Sequence, residues 1–343
     1  MKRWTRLLAL ALCVLGLMTL AGCGGQEKSA AKRKVSILFA NTSEIWYRNG
    51  YALQEALEKD GFLVDLYFET KEAQQIEDFR AAIAKHPVAI IVGAVNGSAL
   101  QNVLADAQQR DIPVIAYDRM IMGSPHISYF VGFDSEAIGR AQGRAIEKAL
   151  RLKEGNASHN IELFAGDSRD VNAGLFFKGA MDILKPYIEA RRLEIPSNDR
   201  VFSQVVTQKW NAEHAKGRME RILQTAYVNG RKLDAVLAPN DELAKGIRAA
   251  LDGIYKGEMP FVTGLDADPE ALRAIAAGRQ GMTIEKPPAL LVKECLRLVH
   301  GLAEGKAPEA NAQLDNGARH VPSFLCEPVV IDKDNLDRAG TAR

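Results

Sequence analysis

The sequence contains little cysteine, few aromatic residues and no excess of either charge. Four Cys in 343 residues are too few for a fold held together by disulfides. Lys and Arg number 44 against 43 Asp and Glu, so the formal charge of +1 provides no chain-wide basic field for binding nucleic acid. Aromatic residues make up 7%, and three of them are Trp, which makes each Trp position informative. With 47% hydrophobic residues, the chain has ample material for one large or two ordinary domains.

The common catalytic and metal-binding motifs are also missing. The sequence has no G-x-G-x-x-G, Walker A, G-x-S-x-G, H-E-x-x-H or C-x-x-C motif, and no two of its six His have metal-ligand spacing. The segment 332–335 is faintly similar to a calcium loop, but Leu336 occupies a position that needs a polar ligand, and the bidentate Glu is absent. We therefore expect a plain turn at 332–335, no catalytic residues, no metal and no cofactor, and hence a protein that is not an enzyme.

The N-terminus has the pattern of an export signal. Three basic residues precede the apolar run Leu7–Leu20, whose 14 residues fall short of the roughly 18–20 that a spanning helix needs. The run ends in Leu20-Ala21-Gly22-Cys23, which resembles the lipobox of bacterial lipoproteins, where the Cys thiol receives a diacylglycerol. We predict a signal peptide over 1–22, lipid attachment at Cys23 and a flexible tether over 23–34. An ordinary signal peptide with an incidental Cys is the alternative.

No later segment is apolar and long enough to span a bilayer. The pattern therefore predicts that the globular body lies outside the cytoplasm, in the periplasm or at the cell surface, and that only the lipid connects it to a membrane.

From residue 35 onward, short apolar runs alternate with longer amphipathic ones. The predicted strands are 35–40, 62–68, 88–92, 112–117, 161–165, 233–237, 261–264 and 282–284. The predicted helices include 71–85, 98–110, 172–185, 211–225, 241–252 and 269–277. The repeated strand-helix order with continuously apolar strands predicts an α/β fold of parallel sheets covered by helices on both faces. Because the alternation restarts near residue 161, two similar halves are expected.

Polar side chains follow the predicted strands, where open α/β sheets bind their ligands. They are Asp118, Arg119, Asp167 to Asn172, Asn240, Asp241, Asp266, Glu285 and Lys286, and Trp46 lies a few residues after the first strand. A helix cap or a turn residue is the local alternative, above all for Asp167 and Asn240. Carboxylate, amide and guanidinium groups can hold vicinal hydroxyls, and the C–H face of a pyranose packs on a flat aromatic ring. The combination predicts a sugar site in preference to a phosphate site.

At these positions the sequence resembles the periplasmic sugar-binding proteins of ABC importers, most closely the xylose-binding and multi-sugar-binding proteins, over almost the whole mature chain. The matching segments are 115–121, Phe133-Asp134, Asn172-Ala173, 184–187, Trp210, Asn240-Asp241, 263–268, Lys286-Pro287, Asn316-Gly317 and 321–323. The resemblance implies two Rossmann-like domains that are joined by three crossing strands and hold the ligand in the cleft between them. It places the first domain at 35–133 plus 287–325 and the second at 134–286 plus 326–343.

The resemblance also implies a set of sugar-binding residues. They are Trp46 and Trp210, which would sandwich the ring, Asp118 and Arg119 from the first domain, Asn172, Asn240 and Asp266 from the second, and Lys286 near a hinge. Some of these positions have structural alternatives. Either Trp could belong to the core, Tyr47 could face the cleft in place of Trp46, and Arg119 could form a structural ion pair with Asp118.

One position departs from the xylose-binding pattern. Those proteins carry a sugar-contacting Arg immediately before the first Trp, where this chain has Ile45. An apolar side chain cannot bond a hydroxyl. We hypothesise that the ligand is a pentose or hexose that does not require this donor, or that Tyr47 or Arg48 replaces it.

The resemblance implies that the protein is a monomer that captures a monosaccharide, such as xylose, glucose or a related aldose, by hinge closure and delivers it to the permease subunits of an ABC importer. A sensor that presents its closed form to a chemoreceptor or histidine kinase is the alternative, and the sequence does not separate the two. Cys295 and Cys326 could form a disulfide, but a cross-link near the third crossing strand would hinder the hinge, so two buried thiols are favoured.

Overall fold

The computed structural model describes residues 33–40, 44–306 and 308–340. The predicted signal peptide, the lipid attachment at Cys23 and nearly all of the predicted tether lie outside these residues. Lys34, which was predicted to end the tether, is instead the first residue of a strand. No helix within the described residues has the length and apolarity needed to cross a membrane.

The described chain alternates strands with helices, as the apolar pattern predicts. The strands are β1 Lys34–Ala40, β2 Leu63–Glu69, β3 Ala89–Gly93, β4 Val114–Tyr117, β5 Tyr129–Phe133, β6 His159–Leu163, β7 Leu193–Glu194, β8 Ala235–Leu237, β9 Phe261–Val262, β10 Met282–Glu285, β11 Ala312–Asp315, β12 His320–Cys326 and β13 Val329–Asp332. The helices are α1 Glu44–Lys59, α2 Glu72–Ala84, α3 Gln101–Gln108, α4 Ser135–Ala149, α5 Val171–Glu189, α6 Phe202–Val205, α7 Ala212–Ala226, α8 Asp241–Ile254, α9 Pro269–Ala276 and α10 Pro288–Ala303. Three-residue or four-residue 3₁₀ turns cover Gly97–Leu100, Gln208–Trp210 and Leu336–Arg338.

The first lobe is built on a seven-stranded sheet with the order β11-β12-β5-β4-β3-β1-β2. All neighbours are parallel except the edge hairpin of β11 and β12. Strand β1 lies inside the sheet, with Ile37 paired to both Leu66 and Ile91, and it is buried after Lys34. Strands covered on both faces need apolar side chains at successive positions, which explains the unbroken apolar runs in the sequence.

The second lobe is built on a parallel four-stranded sheet with the order β7-β6-β8-β9, together with the antiparallel pair of β10 and β13. Gly281 N donates to Val262 O at 2.9 Å, which joins β10 to the end of β9. The chain passes between the lobes after β5, after β10 and after β12. The α/β fold with two lobes of mostly parallel sheets is therefore as predicted, while the limits of the two domains stay a prediction.

Two of the predicted elements differ from the structure as follows. The helix expected over 98–110 is a 3₁₀ turn followed by α3, because the Asn96 side chain caps the turn by accepting a hydrogen bond from Ser98 N. The strand expected over 261–264 ends at Val262. Beyond it the Thr263 hydroxyl bonds both the N–H and the carbonyl of Ala238, replacing the main-chain ladder with side-chain bonds.

The two cysteines of the folded body are free thiols. Cys295 is buried on α10, as predicted, whereas Cys326 at the end of β12 is only half-buried. Burial raises the pKa of the Cys295 thiol well above its ordinary value and that of Cys326 to about 11.

Candidate functional site

A cavity lies between the two lobes at the carboxyl ends of their strands. All eight residues predicted to bind a sugar line it: Trp46, Asp118, Arg119, Asn172, Trp210, Asn240, Asp266 and Lys286. Five further residues complete the lining: Ile45, Asp170, Phe176, Glu242 and Leu265. The structure thus brings the whole predicted set to one place, although their role in binding remains a prediction.

The two tryptophans enter the cavity from opposite lobes, and each rests on a glycine: Gly93, the last residue of β3, and Gly166, three residues beyond β6. A Cβ on Gly93 would collide with the ring of Trp46, and a Cβ on Gly166 would collide with the ring of Trp210. Both rings are more than nine-tenths buried, and Trp46 also packs edge-on against Phe39 at 5.3 Å between centroids. Each Trp is therefore at once a core residue and a wall of the cavity. A glycine is required beneath each ring, because any other residue would displace it.

Tyr47 does not take the place of Trp46. Its side chain is 38% exposed, and its ring stacks on Tyr51 and packs against Phe68 instead of lining the cavity. The alternative in which Tyr47 faces the cleft is wrong in this arrangement.

Charged side chains from both lobes interact within the cavity. Lys286 Nζ lies 3.0 Å from Asp118 Oδ1 and 3.6 Å from Asp266 Oδ1, so one ammonium joins carboxylates from both lobes. Burial lowers the pKa of Lys286, but the attraction of Asp118 and Asp266 outweighs it and holds the pKa above its ordinary value. The ammonium therefore stays charged and fixes the position of both carboxylates.

Arg119 pairs with Asp170, not with Asp118 as the structural alternative supposed. Arg119 Nε lies 2.8 Å from Asp170 Oδ2, Nη1 donates to Ala94 O at 2.8 Å, and the guanidinium lies 4.9 Å from the centre of the Trp46 ring. Burial raises the pKa of Asp170, and Arg119 opposes this shift. Sequence reasoning did not assign Asp170 to the site, although it lies within the segment 167–172 that follows a predicted strand.

The two asparagines have different local roles. Asn172 Nδ2 donates to Asp118 O at 2.9 Å, a second bond between the lobes, and Asn172 Oδ1 accepts from Ser135 Oγ at 2.9 Å. Asn240 Oδ1 accepts from Leu243 N at 3.0 Å and caps α8, so the capping interpretation holds for Asn240 even though it also lines the cavity.

Asp167 does not belong to the cavity. Its carboxylate binds the side chain of Arg169 and the backbone N–H of Lys209. Burial alone would raise the pKa of Asp167, but these donors lower it to about 2. Its Oδ1 also accepts from Arg169 N at 2.9 Å, so Asp167 is a turn residue, while Asp170 caps α5.

Helix α7 begins at Ala212, two residues after Trp210 and one residue later than predicted. Trp210 closes a 3₁₀ turn, and Asn211 caps the helix by accepting from His214 N at 3.0 Å. Ending the turn there orients the Trp210 ring toward Gly166 and the cavity.

Three cavity residues have left-handed backbone conformations that side-chain-bearing residues seldom adopt. The φ angles are 59° at Asp118, 51° at Trp210 and 99° at Asp266. Such conformations cost about 1–3 kcal/mol each and are concentrated at functional sites. Within the described part of the chain, Asp266 Oδ1 and Trp210 Nε1 are also buried without a hydrogen-bond partner. A ligand hydroxyl is a suitable partner for each, since it can both donate and accept.

Apart from Glu242, the remaining lining is apolar. Ile45, Phe176 and Leu265 provide hydrocarbon surface beside the two indoles. The volume of the cavity is about 40 Å³, well below the about 300–1,000 Å³ of ordinary small-molecule sites. The lobes must therefore move apart before a ligand can enter. The arrangement is suited to a small polyol with an apolar face that is enclosed when the lobes close.

Two lobes joined by three crossings and closed over a polar and aromatic cleft form the architecture of a ligand-binding protein. The chain belongs to the periplasmic binding protein domain family, whose model matches residues 35–307. Members of this family bind ligands and do not catalyse reactions, so the protein is a binding protein and not an enzyme.

Several relatives are named for sugar binding. The multiple sugar-binding periplasmic protein SbpA of Azospirillum brasilense is 35% identical over 95% of this chain and 93% of its own length. The D-xylose-binding periplasmic protein of Escherichia coli is 33% identical over 77% of this chain and 76% of its own. A solute-binding protein of an ABC transporter from Clostridium phytofermentans, solved with bound β-D-glucose, matches with a TM-score of 0.86 at 36% identity over 89% of this chain and 96% of its own. The chain is thus a member of the sugar-binding periplasmic proteins.

Proposed function

We propose that this protein is a lipid-anchored, monomeric receptor that captures a monosaccharide by hinge closure and delivers it to the permease of an ABC importer. The observation that carries the proposal is the shared cavity, in which each lobe contributes one tryptophan and a set of buried polar side chains. Relatives named for sugar binding, and a similar structure that holds glucose, support it.

The cleft explains how binding would be coupled to movement. Asp118 and Arg119 come from the first lobe, while Asn172, Asn240 and Asp266 come from the second. A sugar contacts both groups at once only when the lobes are closed. Its binding free energy therefore shifts the population toward the closed form. A permease that recognises the closed form would then receive only loaded protein.

We propose that Trp46 and Trp210 stack on the two faces of the sugar ring and that Asp118, Arg119, Asn172, Asn240, Asp266 and Lys286 bond its hydroxyls. Charge-assisted hydrogen bonds contribute about 1.5–3 kcal/mol each before ordering costs. Several of them give an affinity of micromolar order, which corresponds to about −8 kcal/mol.

Ile45 limits which sugar fits. It lines the cavity beside Trp46 and has no group that can bond a hydroxyl. We propose an aldopyranose, such as glucose or xylose, that turns an apolar edge toward Ile45. The proposed hinges are the three crossings, with the first domain at 35–133 plus 287–325 and the second at 134–286 plus 326–343.

Calorimetric titration with a panel of aldopentoses and aldohexoses tests the binding function. We expect heat of binding with at least one aldose and none with an acyclic polyol of equal size. The Asp106→Asn variant, altered at an exposed position on α3, should bind as the wild type does. Absence of heat with every sugar would overturn the proposal.

Uptake of the labelled sugar tests the import role. Cells without the protein should lose uptake and regain it with the wild-type gene. Uptake that is unaffected, together with a lost response to the sugar, would favour the sensor alternative.

The lipid anchor is tested separately. The variant Cys23→Ser should move the protein from the membrane fraction to the soluble extracytoplasmic fraction.

A further inference from the structure

Glu242 is a cavity residue that the sequence did not indicate. It occupies the first turn of α8, directly after the cap formed by Asn240 and the buried Asp241. Its side chain is half-buried and lines the cavity. Within the described chain it takes part in no hydrogen bond and no ion pair. The nearest cation on the helix, Lys245, is attracted to it but is bound to Glu270 at 3.2 Å.

The two cations that line the cavity are already paired. Arg119 binds Asp170, and Lys286 is shared between Asp118 and Asp266. Glu242 raises the number of lining carboxylates to four, against these two cations. The described lining therefore has a formal charge of −2, and no cation in it is left for an anionic ligand.

Helix N-termini could in principle attract an anion, because their first N–H groups are unsatisfied. Here one N–H at each of the two helix ends is bound by the protein's own cap, and a carboxylate, Asp170 or Glu242, lies at each end. Asp170 Oδ1 accepts from Asn172 N at the start of α5, and Asn240 Oδ1 accepts from Leu243 N at the start of α8. The helix ends at the cavity do not compensate for the missing cation.

We propose that Glu242 is a specificity-determining residue that restricts the site to neutral and amino sugars and excludes sugar acids. This inference rests on the proposed function. A carboxylate on the ligand would be buried among unpaired negative charge, where desolvation and repulsion both oppose it. The ammonium of an amino sugar would instead face Glu242 as its counter-charge.

The test compares three matched ligands by calorimetry near pH 6. They are D-glucose or D-galactose, whichever binds more tightly, its uronic acid, and its 2-amino-2-deoxy derivative. We expect the uronic acid to bind at least about tenfold more weakly than the parent sugar, and the amino sugar to bind at least as well as the parent. The difference in affinity between the parent sugar and its uronic acid should decrease at high salt, since the repulsion is screened.

The variant Glu242→Gln keeps the size of the side chain and removes its charge. In this variant the ratio of the affinities for parent sugar and uronic acid should fall at least about threefold. The affinity for the amino sugar should also fall, and that for the parent sugar should change little. The control Glu55→Gln alters net charge equally at an exposed position nine residues beyond Trp46 on α1, and should leave all three affinities unchanged.

The outcomes separate the inference from the function it rests on. Equal binding of parent sugar and uronic acid by the wild type would overturn the inference and leave the sugar-binding function intact. If the difference in affinity between parent sugar and uronic acid is the same in Glu242→Gln as in the wild type, the proposed role of Glu242 is overturned. Failure of every aldose to bind would overturn the proposed function and the inference with it.

Discussion

Arg119 and Asp170 belong to different lobes, yet their side chains meet at 2.8 Å in a buried ion pair. Nearby, Asn172 Nδ2 donates to the carbonyl of Asp118, also from one lobe to the other. These contacts tie the lobes together through groups of the protein alone. The free energy of closure therefore depends on Asp170 as well as on the ligand.

Replacing Asp170 by Asn should open the cleft. Removing one partner of a buried ion pair leaves the other charge uncompensated, which costs about 3–5 kcal/mol in the closed form. We expect a larger radius of gyration for the ligand-free variant in small-angle scattering, and sugar affinity at least about tenfold lower. An unchanged radius together with unchanged affinity would show that the pair does not control closure.

Replacing Asp266 by Asn should weaken sugar binding by about 1.5–3 kcal/mol, because a buried charged acceptor is lost. Asn tolerates the left-handed backbone at this position, as Asp does, so the fold is retained. Calorimetry measures the loss, with Asp106→Asn as the matched control. Equal affinities for the two variants would exclude Asp266 from the site.

Replacing Gly166 by Ala should displace the Trp210 ring, since the new methyl group would collide with it. We expect lower sugar affinity and a changed ligand-dependent Trp fluorescence in a protein that still folds. Gly217→Ala on α7 is the control, because nothing lies near its Cβ, and helix propensity favours Ala. Normal affinity in Gly166→Ala would show that the position of Trp210 does not matter for binding.

Asp241 should make stability depend on pH. Burial raises its pKa to about 8, against the opposing hydrogen bonds from Asp268 N, Gln280 and Thr283. Because the folded pKa lies above the unfolded one, the contribution is full below about pH 4 and is lost as pH rises toward 8. The loss is up to about 1.4 kcal/mol per pH unit.

Urea unfolding at several pH values between 4 and 8 measures this effect. The difference in unfolding free energy between wild type and Asp241→Asn should shift against the wild type as pH rises. A difference that is constant with pH would show that Asp241 does not titrate in this range.

The thiols of Cys295 and Cys326 should resist alkylation at neutral pH. Burial raises both pKa values, so little reactive thiolate is present in the folded protein. Mass spectrometry of the peptides that contain them should show modification only after unfolding, and without prior reduction. Modification that needs a reductant would reveal a disulfide.

Much of the architecture could be predicted from local patterns. Runs such as 37–40 and 88–92 are apolar at successive positions because both faces of the strand are covered, and this requirement is visible in the sequence. Polar residues at strand ends indicated the site because the carboxyl ends of parallel strands meet at one edge of a sheet. The choice of ligand class then depended on which residue types were present.

Pairing across the cleft could not be predicted in this way. Asp118 was the natural partner for its neighbour Arg119, but the fold gives that role to Asp170 and pairs Asp118 with Lys286, 168 residues away. By its local sequence Glu242 is an ordinary first-turn acid of a helix, and it becomes a cavity residue only because the first lobe closes over that helix end. Such contacts depend on distances between segments that are far apart in the chain.

The sequence by itself determined the alternation of strands and helices, the absence of catalytic motifs and the polar residues that follow the strands, because each is a property of residue type and local spacing. The set of eight candidate residues came from the resemblance to sugar-binding proteins. Only the tertiary structure decided which charges neutralise each other, which polar atoms are left unpaired and which residue adds an unpaired carboxylate. The physical reason is that electrostatic energy depends on the separation and burial of groups, and in this protein the closure of two lobes sets both.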